Sequence, residues 1–159
     1  MLAGTLLRRF NEWDLYSVIE INRWCLPENY VPSFFIETFR RCPSAFIVAE
    51  MGGQLIGYIM CRMEGGFSNI VRFKFVQKGH IISVAVLPEY RQRGIGSGLV
   101  GAVMRVLRGI GADECYLEVR ETNDGAMGLY GKLGFSRARV IPRYYANSAD
   151  AVLMVRSLS

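Results

Sequence analysis

Hydrophobic and polar positions alternate along the chain in segments whose periods predict strands and helices in turn. Strand patterns occupy residues 2–10, 44–50, 54–63, 81–87, 115–120, 135–140 and 151–155. Helical spacing of apolar residues occupies 12–24, 33–41, 99–110 and 124–132. Gly52-Gly53 separates two strand patterns and predicts a hairpin turn. The polar, aromatic and basic stretch 65–78 has no clean period, and we interpret it as a loop with strand-like ends.

The order of these elements predicts a mixed α/β fold. It runs strand, two helices, three strands, helix, strand, helix and two strands, which favours a central mixed, mostly antiparallel sheet flanked by about four helices. The 159 residues suit a single domain covering 1–159. Hydrophobic residues make up 51% and charged residues 21% of the chain, which excludes a disordered protein.

The stretch from Gly79 to Gly101 carries the strongest chemical signal. Its apolar strand ends at Pro88, a turn rich in arginine and glycine follows, and a helical pattern then begins. The first N–H groups of a helix have no partners within it, and the helix dipole favours negative charge at that end. Glycine lets the backbone approach an anion closely, and arginine adds forked donors. We therefore expect a phosphate-binding turn here.

Other interpretations of this turn fit less well. Residues 96–101 match the dinucleotide fingerprint G-x-G-x-x-G, but Pro88 to Arg93 separate them from the strand and too little chain follows for a dinucleotide fold. A Walker P-loop is excluded because no Gly-Lys-Ser/Thr is present. An ordinary solvated basic loop remains possible from the residues of the turn alone.

Two motifs together resemble the GNAT acetyltransferases. Arg91-x-x-Gly94-x-Gly96 is similar to the diphosphate-binding signature of that family, and Asn123 to Phe135, NDGAMGLYGKLGF, is similar to its other signature. Within the family, residues 26–30 (LPENY), 78–86 (KGHIISVAV) and Arg143-Tyr144-Tyr145 resemble the catalytic subunit of protein N-terminal acetyltransferases, most closely the archaeal ones.

The resemblance implies the GNAT fold, acetyl-CoA as co-substrate and a set of cofactor contacts. It implies main-chain pairing of the central strand with the pantetheine arm and an Asn123 bond to that arm. The implied cofactor-binding residues are Val84, Ala85, Val86, Arg91, Gln92, Arg93, Gly94, Ile95, Gly96, Ser97, Asn123, Tyr130 and Lys132. Gln92 departs from the family pattern, since many members are basic there, and one phosphate contact is expected to be weaker.

Direct acetyl transfer to an amine needs a proton acceptor, oxyanion stabilisation and a donor for the leaving thiolate. His80, the only histidine, suits the acceptor role, although a histidine bonded to backbone is the commoner case. Glu28 is a second candidate, as a base or as a partner of the charged amine, against a solvated loop carboxylate. Tyr130 is implied by the resemblance to protonate the thiolate, against simple packing on the sheet.

The predicted activity is acetylation of protein N-terminal amines. Leu26, Pro27, Glu28, Tyr30, Tyr144 and Tyr145 are the predicted substrate-binding residues. Alternatives are a GNAT enzyme specific for a ribosomal protein, for lysine or for a small amine, and a module that binds CoA without transfer. An auxiliary or ribosomal partner is compatible with the resemblance. No membrane partner is expected, because no segment is long enough to span a bilayer, and no direct nucleic-acid partner is expected, because the net charge of +5 is scattered.

Four cysteines are spread along the chain. Cys25, Cys42, Cys61 and Cys115 are far apart, so no metal site is expected, and free thiols agree with a cytoplasmic protein. Cys61 and Cys115 lie in apolar strand patterns and are predicted to be core residues. No segment approaches the length needed to span a membrane.

Overall fold

The computed structural model describes all residues, Met1–Ser159, and contains the predicted elements in the predicted order. The strands are β1 (Thr5–Arg9), β2 (Phe46–Met51), β3 (Gln54–Phe67), β4 (Phe75–Val86), β5 (Glu114–Arg120), β6 (Ser136–Ile141) and β7 (Ala151–Ser157). The helices are α1 (Leu15–Cys25), α2 (Pro32–Arg41), α3 (Ile95–Gly109) and α4 (Asp124–Lys132). Hydrogen-bonded neighbours in the sheet follow the order β1-β2-β3-β4-β5-β7-β6. The mixed α/β prediction is therefore confirmed.

The prediction of a loop with strand-like ends over residues 65–78 is confirmed at its ends, but the loop itself is shorter than the whole stretch. β3 continues to Phe67 and β4 begins at Phe75, so the turn is limited to Ser68–Lys74, where the Ser68 N–H donates to the Lys74 carbonyl at 2.7 Å. These hairpin arms are largely exposed, with only Val76 buried between Gly65 and Gln77. Without a buried face, a strand has no reason to alternate apolar and polar residues, which explains the missing period.

The chain divides into two compact units, which we describe separately. The first comprises residues 1–62 and 81–106. In it β1 pairs antiparallel with β2, and β2 with β3. Its core is aromatic: the Phe10 and Phe46 rings stack at 4.1 Å, and Phe35 meets Tyr58 edge to face. Burial of such rings is the main source of stability in this unit.

The second unit comprises residues 63–80 and 107–159. The beginning of β4 runs parallel to β5, pairing Lys78–His80 with Glu114–Tyr116. β7 pairs antiparallel with β5 on one side and β6 on the other. Gly134, with a φ of 89°, follows α4 in the left-handed conformation that commonly ends a helix. The expectation of a single domain over 1–159 stays a prediction.

The four cysteines are free thiols. Cys42, Cys61 and Cys115 are buried, which confirms the core assignment of Cys61 and Cys115. Burial raises the pKa of the Cys115 thiol to about 12. None of the helices has the combination of length and apolar character needed to cross a bilayer.

Candidate active site

The turn before α3 has the backbone geometry of an anion site. A 3₁₀ turn at Pro88–Tyr90 ends β4, and then Gln92 and Gly94 take left-handed conformations with φ of 60° and 81°. The first helical hydrogen bond of α3 runs from the Gly98 N–H to the Gly94 carbonyl. The N–H groups of the preceding residues, Ile95–Ser97, thus belong to the first helical turn, where donors lack intrahelical partners.

Arg91 is tied to the end of the central strand. Its Nε donates to the Val86 carbonyl at 2.8 Å, and the Cys25 thiol lies 3.6 Å from the same oxygen. This bond fixes the position of the Arg91 guanidinium beside the turn. Arg93, within the turn, is exposed. Desolvation raises the pKa of the Cys25 thiol, so this cysteine stays protonated near neutral pH.

The second half of β4 alternates between buried and half-buried residues. Ser83 and Ala85 are buried, and Val84 and Val86 are half-buried on the other face. A Cβ added to Gly57 would lie 2.9 Å from the Ala85 carbonyl oxygen, so β3 needs glycine at its close approach to this strand. The predicted cofactor strand therefore has one packed face and one partly accessible face.

The loop carrying the predicted substrate residues is held by a buried asparagine. Asn22, on α1, donates from Nδ2 to the Glu28 carbonyl and to the Tyr58 hydroxyl, both at 3.1 Å, and its Oδ1 accepts from the Tyr30 N–H at 3.4 Å. The Tyr58 hydroxyl lies 2.7 Å from the Ser83 hydroxyl. Burial raises the pKa of Tyr58 to about 12, which keeps this network neutral.

Tyr30 connects that loop to β4. Its hydroxyl donates to the Ile82 carbonyl at 3.4 Å, and its ring stacks on Phe34 with centroids 4.8 Å apart. Leu26 is half-buried against the core of the first unit, and Pro27 is exposed. The loop therefore has a fixed backbone around a half-exposed Glu28.

His80 lies between two carboxylates. Its Nε2 is 2.8 Å from Glu118 Oε2, and its Nδ1 is 3.1 Å from Glu64 Oε2. The ring stacks on Tyr116 with centroids 4.2 Å apart, and the Tyr116 hydroxyl donates to the other oxygen of Glu64. The four groups, which we call the His80 cluster, are all supplied by β3, β4 and β5.

Both ring nitrogens of His80 face carboxylates. A neutral ring has a single N–H and donates to one carboxylate only. Contact with both requires either the doubly protonated ring or a proton on one carboxyl group. Both ring nitrogens of His80 are thus engaged by carboxylates rather than open to solvent.

The second family motif forms α4 and the turn after it. Asn123 caps the helix, its Oδ1 accepting from the Ala126 N–H at 3.1 Å. Tyr130 is buried and meets Phe135 edge to face at 5.8 Å, and Lys132 is exposed in the last turn. Leu129, which precedes Tyr130, is only half-buried, so Tyr130 itself packs against Phe135.

Tyr144 and Tyr145 lie in the connection between β6 and β7. Their rings meet edge to face at 4.9 Å, and the Arg120 guanidinium sits 4.1 Å from the Tyr145 ring centroid. The Arg143 N–H donates to Asp150 within the same connection. This loop is thus ordered by contacts inside the second unit.

The predicted site residues fall into two sets. The first unit contains the Arg91–Ser97 turn, Val84–Val86, and the Leu26–Tyr30 loop, and the second contains His80, Asn123, Tyr130, Lys132 and the tyrosine pair. No role was predicted from the sequence for Asn22, Tyr58, Glu64, Tyr116 or Glu118. The alternation of Glu114, Tyr116 and Glu118 in a buried strand was the available signal.

A groove of about 980 Å³ lies elsewhere in the first unit. Arg8, Trp13, Asp14, Glu20 and Trp24 are among its lining residues, and it includes none of the predicted site residues. Two arginines, Arg8 and Arg23, line the groove, and Arg8 is already paired, because it forms two hydrogen bonds of 2.8 and 2.9 Å with Asp14. We therefore do not assign the active site to this groove.

Comparison with known proteins gives consistent results. The sequence profile of the acetyltransferase (GNAT) family matches residues 15–135. An N-alpha-acetyltransferase of Sulfurisphaera tokodaii is 47% identical over 147 residues, which cover 91% of this chain and 88% of that protein. Ard1 from Thermoplasma volcanium superposes with a TM-score of 0.85 at 29% identity, covering 98% of each chain. A chain of the NatC complex bound to Gag peptide and CoA gives 0.88 at 26% identity, covering 98% of this chain and 99% of that one.

Proposed function

Because the chain belongs to the acetyltransferase (GNAT) family and uses acetyl-CoA as co-substrate, we propose that it acetylates the N-terminal α-amines of proteins. The observation that carries the proposal is the Arg91–Ser97 turn, which precedes a helix in a protein with relatives named N-alpha-acetyltransferase. Backbone N–H groups and arginine are the donors that a diphosphate requires.

The proposed cofactor contacts extend from that turn along β4. Val84, Ala85 and Val86 offer main-chain groups to the pantetheine amides, while their side chains keep packing. Asn123 uses its side-chain oxygen to cap α4, which leaves the pantetheine contact to its side-chain nitrogen. Lys132 is exposed and adds a cation for the cofactor phosphates.

The proposed reaction is direct transfer. The amine nitrogen forms a bond to the thioester carbonyl carbon, and the C–S bond then breaks. A backbone N–H of the central strand near Val84 or Val86 stabilises the oxyanion. The Tyr130 hydroxyl donates its proton to the leaving thiolate, and the proton that the attacking nitrogen loses as the amide forms restores the tyrosine. No buried cysteine is needed as a nucleophile, since no acyl-enzyme forms.

Two acceptors are proposed for the proton that the ammonium loses. Glu28 is half-exposed on a loop whose backbone Asn22 fixes. His80 is the second, and it is proposed to act as a relay with Glu118 and Glu64, which contact the two nitrogens of its ring. General acid–base help of this type contributes about 10²–10⁴ in rate.

The proposed peptide site uses residues of both loops. Leu26, Pro27, Glu28 and Tyr30 contact the first residues from one loop, and Tyr144 and Tyr145 do so from the other. Tyrosine hydroxyls can bind the peptide backbone without selecting its side chains, so recognition is expected to be confined to the first few residues.

A peptide panel tests the proposal. Peptides with different first two residues are incubated with acetyl-CoA, free thiol is measured, and mass spectrometry locates the acetyl group. Acetyl on α-amines supports the proposal, whereas acetyl only on lysines or polyamines supports the alternative GNAT activities. Retention of acetyl-CoA with no transfer to any amine would identify a binding module.

Glu28→Gln and His80→Asn, singly and together, then separate the two proton acceptors. The single variant that loses more activity identifies the principal acceptor. Full activity of the double variant on Ser- and Met-starting peptides would show that neither residue takes the proton.

A further inference from the structure

The turn joining β3 and β4 exposes a concentrated apolar surface. Between Phe67 and Phe75 five large apolar residues are exposed, and Phe73 is 81% accessible. These residues are Phe67, Ile70, Val71, Phe73 and Phe75. We call residues 67–75 the hairpin tip. An apolar surface of several hundred Å² on one turn is about the size of the largest patch on an ordinary monomer, and such patches mark interaction sites.

The hairpin tip is also cationic. Residues 65–78 include Arg72, Lys74 and Lys78 and contain no aspartate or glutamate. The Arg72 guanidinium lies 4.8 Å from the centroid of the Phe73 ring, so charge and aromatic surface are adjacent. An anionic partner is therefore favoured, and a second copy of the tip is disfavoured by charge repulsion.

Buried and backbone hydrogen bonds hold the tip in shape. Glu114, which is buried on β5, accepts from the Ser68 hydroxyl and from the Asn69 N–H, both at 2.6 Å. The Ser68 oxygen in turn accepts from the N–H groups of Ile70 and Val71. The Glu114 carboxylate, the nearest acidic group of β5, is thus hydrogen-bonded within the turn. It does not neutralise the positive charge on the surface of the hairpin tip.

Phe73 adopts a conformation that aromatic residues rarely take. Its φ is 63°, in the left-handed region where a side chain costs about 1 kcal/mol or more. The turn keeps this unfavourable backbone conformation although the Phe73 ring remains exposed to solvent. Strain of this kind, at an exposed aromatic residue, is a pointer to a binding role.

We propose that the hairpin tip docks the protein peripherally on an anionic lipid surface. The side chains of consecutive residues in a turn project in different directions. A flat protein surface or a nucleic-acid base therefore covers only some of them. The boundary of a bilayer is fluid and surrounds all of them, with phenyl and aliphatic groups among the acyl chains and Arg72 and Lys74 at the headgroups. The expectation of no membrane partner rested on the absence of a spanning segment and does not bear on this mode.

Vesicle flotation with the full chain tests the proposal. Vesicles of phosphatidylcholine alone and of equal parts phosphatidylcholine and phosphatidylglycerol are compared. We expect binding to the anionic vesicles only, and loss of binding between about 0.1 M and about 1 M salt, as screening requires. Phe73→Asn, which tolerates the left-handed backbone, should weaken binding about tenfold.

Matched variants complete the test. Arg72→Gln with Lys74→Gln should remove the preference for anionic vesicles. Tyr16→Ser changes an equally exposed aromatic residue on α1 and should bind like the unmodified chain. Circular dichroism melting curves confirm that each variant is folded. Failure of the unmodified chain to float, equal binding by the tip variants, or tip-dependent binding of a single-stranded oligoribonucleotide without vesicle binding would each overturn the proposal.

Discussion

His80 Nε2 and Glu118 Oε2 are 2.8 Å apart, across the parallel pairing that joins β4 to β5. The contact is largely buried, since the two side chains are 9% and 13% accessible. In the proposed mechanism it makes Glu118 a positioning residue, because it orients the imidazole and shares its proton without touching the amine.

Glu118→Gln should therefore lower acetyl transfer. The amide keeps the size of the side chain but removes the negative charge that stabilises a protonated ring. We expect kcat to fall about tenfold or more, with little change in the Kd for CoA. Glu121→Gln changes an exposed carboxylate one residue beyond the same strand and is the control. Unchanged steady-state kinetics for Glu118→Gln would remove Glu118 from the mechanism.

Arg91→Gln tests the anion site. The variant loses the guanidinium that is fixed to the Val86 carbonyl beside the turn. A hydrogen bond to a charged phosphate contributes about 1.5–3 kcal/mol, so the Kd for CoA should rise by about tenfold or more in calorimetry. Arg105→Gln, on the exposed side of α3, should bind CoA normally. Equal affinities for the two variants would contradict the assignment of the diphosphate to this turn.

Asn22→Ala tests whether the Asn22 side chain fixes the backbone of the Leu26–Tyr30 loop. The change removes the three bonds to Glu28, Tyr30 and Tyr58 from a buried position. Unfolding free energy should decrease by about 2 kcal/mol. Below the melting temperature, the KM for peptide should rise while the KM for acetyl-CoA stays constant. Asn29→Ala removes an asparagine from an exposed position of the same loop and is the control. A parallel rise in both KM values for Asn22→Ala would show a global effect instead.

Asp14 should make stability dependent on acid pH. Burial opposes its ionisation, but hydrogen bonds from Arg8 and the Asn11 N–H, with the charge of Arg8, lower its pKa below 3.8. A carboxyl group with a lowered folded pKa stabilises the protein above the unfolded value, and this contribution is lost as pH falls through the folded value. Asp14→Asn should therefore cost about 2 kcal/mol at pH 7 and progressively less below about pH 4.

Urea denaturation at several pH values measures the Asp14 effect. Glu37→Gln breaks the exposed ion pair with Arg41 and should cost less than about 1 kcal/mol throughout. A cost of Asp14→Asn that does not change with pH would refute the ion-pair explanation.

Two glycines give opposite expectations on replacement by alanine. A Cβ on Gly79 would lie 2.6 Å from the buried Leu107 side chain, so Gly79→Ala should destabilise by about 1–3 kcal/mol. Gly128, inside α4, has nothing within 4 Å, so Gly128→Ala should stabilise by about 1 kcal/mol. Melting temperatures that shift in the same direction would show that the packing at Gly79 is looser than described.

The sequence predicted the features that depend on local signals. The bounds of α4 and the turn before α3 follow from Asn123, Pro88 and a few glycines, whose conformational preferences act within several residues. The surroundings of His80 were not predicted, because Glu64 and Glu118 reach it through strand pairing over 16 and 38 residues of chain. The register of a parallel strand pair does not alter the apolar–polar alternation of either strand, so it cannot be predicted from that alternation. The exposed hairpin arm that carries Glu64 has no clear alternation.

The interior position of β7 also has a consequence for synthesis. β7 follows β6 in the chain, yet it lies between β5 and β6 in the sheet. While a ribosome is still making residues 151–157, β5 and β6 each lack the strand that will cover one edge, and open edges recruit other chains. Stalled or prematurely terminated products ending before Ala151 should thus aggregate or be degraded, and the nascent chain cannot complete this half of the sheet until its last strand emerges.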